Sequence, residues 1–128
     1  DTPAVELGAL VIKEALKRAN VAPEHVDEVM FGCILTSALG QNPARQAAVK
    51  AGVPLSAPAY TVGMVCGSGM KSVIEAGRAI LSGDRTVIGH GNLNPQELLR
   101  TRVHESQKKY PAHRFMLRSM EGEQNSRI

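Results

Sequence analysis

The sequence predicts an α/β domain in which helices layer against a mixed, mostly parallel sheet. Three observations carry this. Apolar residues recur at helical spacing in several segments, and short β-branched or aromatic runs fall between them. The joins are short, so the order helix, strand, helix, strand, helix lays successive strands parallel. No internal repeat breaks the pattern.

The first element opens at Thr2-Pro3, an N-cap residue followed by proline at the first helical position, with Glu6 near the positive end of the dipole. Leu7, Leu10, Val11, Ile12, Ala15, Leu16 and Ala19 give it a broad apolar face, and Asn20 and Pro23 end it. The run "VDEVMFGCIL" (Val26–Leu35) passes from charged residues into β-branched and aromatic ones, a strand. Asn42-Pro43 repeats the cap-plus-proline signal and opens a short helix through Val49, closed by Gly52 and Pro54. "PAYTV" (Pro58–Val62) is a second strand. Met70, Val73, Ile74, Gly77, Ile80 and Leu81 then mark a third helix that stops at Ser82-Gly83.

From Arg85 the pattern degrades. Asn94-Pro95 can start a short helix through "QELLRTRVHESQKKY", and nothing beyond Pro111 argues for a packed element. The expected division is a domain over residues 1–84 and an atypical tail over 85–128, poorly ordered or partly helical. Charge divides at the same place. Residues 1–84 carry seven Lys/Arg against eight Asp/Glu, a net −1, and residues 85–128 carry eight against four, a net +4.

At 128 residues the chain forms one domain at most. It is 43% apolar, and no apolar run approaches the roughly 18 residues of a membrane span. No basic stretch followed by an apolar one marks a signal peptide, and Asp1 rather than Met opens the sequence, so its true start is expected upstream. Cys33 and Cys66 are too few for a disulfide framework and lack metal-ligand spacing, which fits a reducing, cytoplasmic setting.

The chemistry concentrates in "VCGSGMKS" (Val65–Ser72). A phosphate loop needs glycine directly before its lysine, but Met70 separates Gly69 from Lys71. A G-x-S-x-G elbow fails because Cys66 stands where its first glycine belongs. Two readings remain open on the residues alone. Cys66 follows a strand and enters a helix, where unpaired amides and the dipole stabilise a thiolate. Gly67, Ser68 and Gly69 keep bulk away, so an acyl group can lie against the backbone, whose amides can hold a carbonyl oxygen as it gains charge. Alternatively, Cys66 is a small residue filling a tight strand-to-helix turn.

"GQNPARQAAVKAGVP" (Gly40–Pro54) followed by "PAYTVGMVCGSGMKSVIEAGRAILSGD" (Pro58–Asp84) resembles the N-terminal half of the thiolases, and among them the biosynthetic acetyl-CoA acetyltransferases. "TPAVELGALVIKEALKRANVAPEHVDEVMFG" matches the preceding helix and strand, so the resemblance covers about residues 2–84. It implies a partial thiolase fold without its first strand or its C-terminal half. It also implies a transferase that joins two acetyl-CoA into acetoacetyl-CoA, or reverses this by thiolysis, through an acyl-cysteine. By position the nucleophile is Cys66, with Gly67, Ser68 and Gly69 as substrate-binding backbone around the thioester. No bound cofactor or metal is implied, since coenzyme A enters as the substrate thioester. The implied assembly of the intact enzyme is a homodimer or homotetramer, with no membrane or nucleic-acid partner.

In the family a histidine and a second cysteine from the C-terminal half move the protons, so this chain alone is expected not to turn over acetoacetyl-CoA. The sequence departs from the family at Gly63, usually asparagine, and at Met64, often basic. It departs again after Asp84, where "RTVIGHGNLNPQ" replaces a long apolar strand ending in a glycine pair. That strand is therefore expected to be compromised and the chain marginally stable or prone to aggregate. A shifted reading frame or alternative splice would leave the same junction.

Other residues read plainly. Cys33 is a small buried strand residue, His25 a solvated loop residue, and Arg45 and Gln46 structural or subunit contacts. His90, His104 and His113 lie where the sequence is unlike the family and carry no catalytic expectation. A competing function of another class is a non-catalytic interaction fragment whose basic tail binds acidic partners or nucleic acid. Its cations are interrupted by acids and show little aromatic interleaving.

Overall fold

A computed structural model describes residues 2–93 and 102–105. Its elements are α1 (Ala4–Ala19), β1 (Glu28–Gly32), α2 (Pro43–Ala51), β2 (Ala59–Val62), α3 (Ser68–Leu81), β3 (Val87–Asn92) and β4 (Arg102–Glu105). The sheet runs β2-β1-β3-β4, with β1 parallel to both β2 and β3, and β4 antiparallel to β3. This is the layered, mostly parallel α/β arrangement expected.

β1 occupies the interior, and all five of its residues are buried. Its side chains alternate between faces. Val29 and Phe31 join a core built with Ile12 and Leu16 of α1 and Ala44, Ala47 and Ala48 of α2. Met30 points the other way, to a smaller cluster with Ile88 and Ala76 of α3. Helices therefore cover the sheet from both sides, α1 and α2 on one and α3 on the other.

The helix ends follow local chemistry with one exception. Asn42 caps α2, its side chain accepting from the Arg45 amide at 3.3 Å, and Gly52 closes it at φ +91°. Asn20 ends α1 in the left-handed region. At the start of α1, however, Pro3 holds the cap position and no side chain caps the helix, so Thr2 does not do so. The Pro3 carbonyl instead accepts from the Glu6 and Leu7 amides.

Two helices bury different faces from those their large apolar residues predict. In α1 the buried residues are Val5, Gly8, Ala9, Ile12 and Leu16, while Leu10 is 61% exposed. In α3 the buried residues are Ser68, Gly69, Ser72 and Ala76, and Met70, Ile74 and Leu81 face outward. Small residues face the sheet here because α3 lies close to it.

Residues 87–92 correct the sequence reading most. The strand expected to be compromised is formed, fully buried and paired on both sides. Only Val87 and Ile88 supply apolar bulk before Gly89, His90, Gly91 and Asn92, so composition hid it. Distant carboxylates fix its start. Asp27 Oδ2 accepts from the Thr86 and Val87 amides, both at 2.9 Å, and from the Thr86 hydroxyl. Arg85 pairs with the largely buried Glu28 at 2.9 Å. The order thus continues past Asp84. Beyond it, Arg102–Glu105 is a strand where the sequence predicts helix, and the other residues of that expected helix and of the tail, 94–101 and 106–128, lie outside the described residues.

Candidate active site

Neighbouring parallel strands β1 and β2 send the chain to opposite faces of the sheet, β1 into α2 and β2 into α3. Such a divergence opens a crevice beyond the carboxyl ends of the strands, where α/β folds place their ligands. Cys66 lies at this end. It sits in the 3₁₀ turn Val65–Gly67, between the end of β2 and the first residue of α3. Its thiol is free and exposed.

Two contacts seat α3, the helix that follows the turn. Gly32, the last residue of β1, lies directly beneath the start of α3. A Cβ there would come within 2.4 Å of the Ser68 carbonyl carbon and 2.5 Å of the Gly69 nitrogen, so only glycine lets the helix seat this low. One turn further on, the buried Ser72 hydroxyl donates to the Gly69 and Gly91 carbonyls at 2.7 and 2.9 Å, tying α3 to β3. Above these contacts Met64, Val65 and Cys66 project outward.

The turn is strained at Val65, which has φ +44°. A β-branched residue in the left-handed region is a genuine outlier, and such conformations cost about 1–3 kcal/mol. They persist where the surroundings over-determine them, commonly at functional sites. Nothing in the sequence announces Val65 or Gly32 as site residues, because both act through backbone position.

The four expected site residues divide. Cys66 is open to solvent and Gly67 is half-buried, while Ser68 and Gly69 are buried against Gly32. Cys33 is buried at the end of β1, its thiol donating to the Leu35 carbonyl at 3.2 Å, and burial pushes that thiol above the usual range. Both cysteines are free thiols. Arg45 donates to the Leu55 and Ala57 carbonyls at 2.6 Å, and Gln46 to those of Leu39 and Gln41 at 2.8 Å, so both brace loops. His25 is exposed, and His90 is buried within β3. Among the described residues no group of three or more His, Cys, Asp or Glu is placed to hold a metal ion. No described helix is long and apolar enough to cross a membrane.

Comparison with known proteins gives this geometry a lineage. The family model for the thiolase N-terminal domain matches residues 1–110. The chain belongs to the thiolase family. The match runs well past Asp84, taking in β3 and β4. The acetyl-CoA acetyltransferase of Cupriavidus necator is 57% identical over 89 residues, covering 70% of this chain and 23% of that enzyme. The cytosolic acetyl-CoA acetyltransferase of Mus musculus is 53% identical over 91 residues, covering 71% and 23%. The crystal structure of the Acat5 thiolase from Ascaris suum, in complex with coenzyme A, superposes with a TM-score of 0.69 at 37% identity. It covers 70% of this chain and 24% of that one. The thiolase chain described here thus spans about a quarter of the length of the relatives it matches.

Proposed function

We propose that Cys66 is the acyl-accepting nucleophile of a thiolase-type acyltransferase acting on coenzyme A thioesters, with acetyl-CoA and acetoacetyl-CoA as the substrates. The observation that carries this reading is the free, exposed thiol on a strained turn at the carboxyl end of β2, in a chain whose family is thiolase. In the first half-reaction Cys66 Sγ forms a bond to the acetyl carbonyl carbon. The bond from that carbon to the coenzyme A sulfur breaks, and the thiol proton ends on released coenzyme A. A covalent thioester divides one difficult transfer into two easier ones. Gly67, half-buried beside the thiol, leaves room for the acetyl group, while Ser68 and Gly69 support the turn from below.

The condensation half-reaction needs a base for the α-proton and groups that hold the enolate oxygen. We assign Cys66 the acyl-accepting step, which is the one that the residues described here support. Its two free cysteines, and its kinship with an enzyme named as cytosolic, support a cytoplasmic setting. The intact enzyme is read as a homo-oligomer on family grounds only.

Incubation with acetyl-CoA followed by intact-mass and peptide mapping tests the assignment. The expected result is one acetyl group on Cys66, removable by hydroxylamine and absent from Cys66→Ala, with Cys33 unmodified. Equal labelling of the parent and Cys66→Ala chains sinks it.

A further inference from the structure

We propose that the Ser68 side chain is a positioning residue that holds Cys66 in its reactive conformation. The inference rests on Cys66 being the acyl acceptor and adds a role for a hydroxyl that never meets the substrate. Ser68 is completely buried. Its Oγ accepts from the Met64 amide at 2.8 Å and donates to the Val65 carbonyl at 2.6 Å. One hydroxyl therefore clamps the two residues before Cys66 from the α3 side, across the turn that the thiol crowns. The Val65 peptide is where the strain sits, at φ +44°. Without the clamp, Val65 relaxes toward the ordinary extended or helical regions, and the Cys66 backbone that follows turns with it.

Two backbone bonds also close this turn, from the Gly67 amide to the Met64 carbonyl at 2.8 Å and from the Ser68 amide to the Val65 carbonyl, and the Ser68 hydroxyl adds the side-chain restraint. Gly32 fixes the height of α3 through the Ser68–Gly69 peptide, and Ser72 fixes the helix laterally against β3. Neither reaches Met64 or Val65 through a hydrogen bond, whereas Ser68 reaches both. The Ser68 side chain is short and completely buried, and its backbone packs on Gly32. Its hydroxyl serves as donor and acceptor at once, which alanine, glycine and cysteine do not match.

Ser72 supplies a matched control. It is equally buried, lies four residues on in the same helix, and donates to two carbonyls, but it does not touch the turn. The experiment compares the parent, Ser68→Ala and Ser72→Ala chains by the rate of Cys66 acetylation from acetyl-CoA and by hydrogen exchange at the Met64 amide. Ser68→Ala is expected to slow acetylation about tenfold, the effect of one lost positioning hydrogen bond, and to speed Met64 exchange. Ser72→Ala is expected to leave both close to the parent while lowering the melting temperature.

Equal slowing by the two variants, or parental rates in Ser68→Ala, overturns the positioning role and leaves the acyl-acceptor assignment standing. Absence of acetylation in the parent chain overturns that assignment and the role of Ser68 with it. If Ser68→Ala does not fold, Val65→Gly in the same chain should restore folding, because glycine occupies the left-handed region without strain. Failure of that rescue also overturns the proposal. Where both variants fold, the loss caused by Ser68→Ala should shrink in the Val65→Gly background, and an unchanged loss argues against the clamp.

Discussion

Helices α2 and α3 both begin after a non-glycine residue in the left-handed region, Asn42 at φ +45° and Val65 at φ +44°. The two starts are nevertheless built to different ends. Asparagine tolerates that conformation, and its side chain works locally. It accepts from the Arg45 amide and the Thr61 hydroxyl and donates to the Ala59 carbonyl at 2.8 Å, so the cap is bound to β2. Pro43 and Ala44 beneath it are buried. At α3 the left-handed residue is valine, which gains nothing from the geometry, and no side chain caps the helix. The outer residues Met64, Val65 and Cys66 are exposed, and order comes from below, through Ser68 on the turn and Gly32 under the start of the helix. A cap built only for stability secures its helix with its own side chain. A start that must present a thiol leaves its outer surface clear and is held from the core.

Replacing Gly32 by alanine attacks the α3 start alone and gives the largest expected effect. The new Cβ meets backbone rather than a flexible side chain, so α3 must lift. A loss of about 3 kcal/mol in urea unfolding is expected, with loss of Cys66 acetylation. A stable Gly32→Ala chain that acetylates at the parental rate breaks the claim that the sheet positions the turn.

Asn42→Ala attacks the other start. Removing the cap and its ties to β2 should cost about 2 kcal/mol, measured in the same way, and leave the acetylation rate of the folded chain unchanged. A parallel fall in acetylation would mean that the two helix starts are coupled, contrary to the comparison drawn here.

Val65→Gly should move stability in the opposite direction, raising it by about 1 kcal/mol as the strain is relieved, less the extra chain entropy of glycine. Unchanged or lower stability would show that Val65 packs well enough to offset its backbone. The corresponding Asn42→Gly change should stabilise nothing, because asparagine already accepts this geometry and supplies the cap.

The smallest effect concerns charge on α3. The side-chain hydrogen bond from Lys71, with Arg78 adding to it, holds the Glu75 carboxyl below its ordinary value of 4.5. Its folded pKa is therefore depressed relative to the unfolded chain. Its contribution is present above the unfolded value and is lost as pH falls through the lowered folded value. Carbon-detected titration should place Glu75 below its ordinary value, and Glu75→Gln should flatten the acid limb of stability only slightly, because exposed pairs contribute little. A normal titration for Glu75 would remove the pairing from the account.

Much of this protein was legible from neighbours within a few residues. Asn42-Pro43 and Gly52 bounded α2, "VMFG" marked the central strand, and the strand-to-helix join around Cys66 could be placed without coordinates. The paired motifs also carried the family. Such features depend on propensity, capping and spacing, which are local. Three others were settled only by tertiary structure. Residues 87–92 became an interior strand because Asp27 and Glu28, almost sixty residues earlier, bind its start and β1 pairs along it. Helix α3 turned Ser72 and Ala76 inward, and Met70 and Ile74 outward, because Gly32 brings it too close to the sheet for larger side chains. Val65 adopts a conformation its own side chain disfavours, its carbonyl bound by the Ser68 hydroxyl, which is buried where α3 packs on Gly32. Sequence periodicity reports that a face exists, while burial depends on what the rest of the chain brings against it, and that is decided only when distant segments meet.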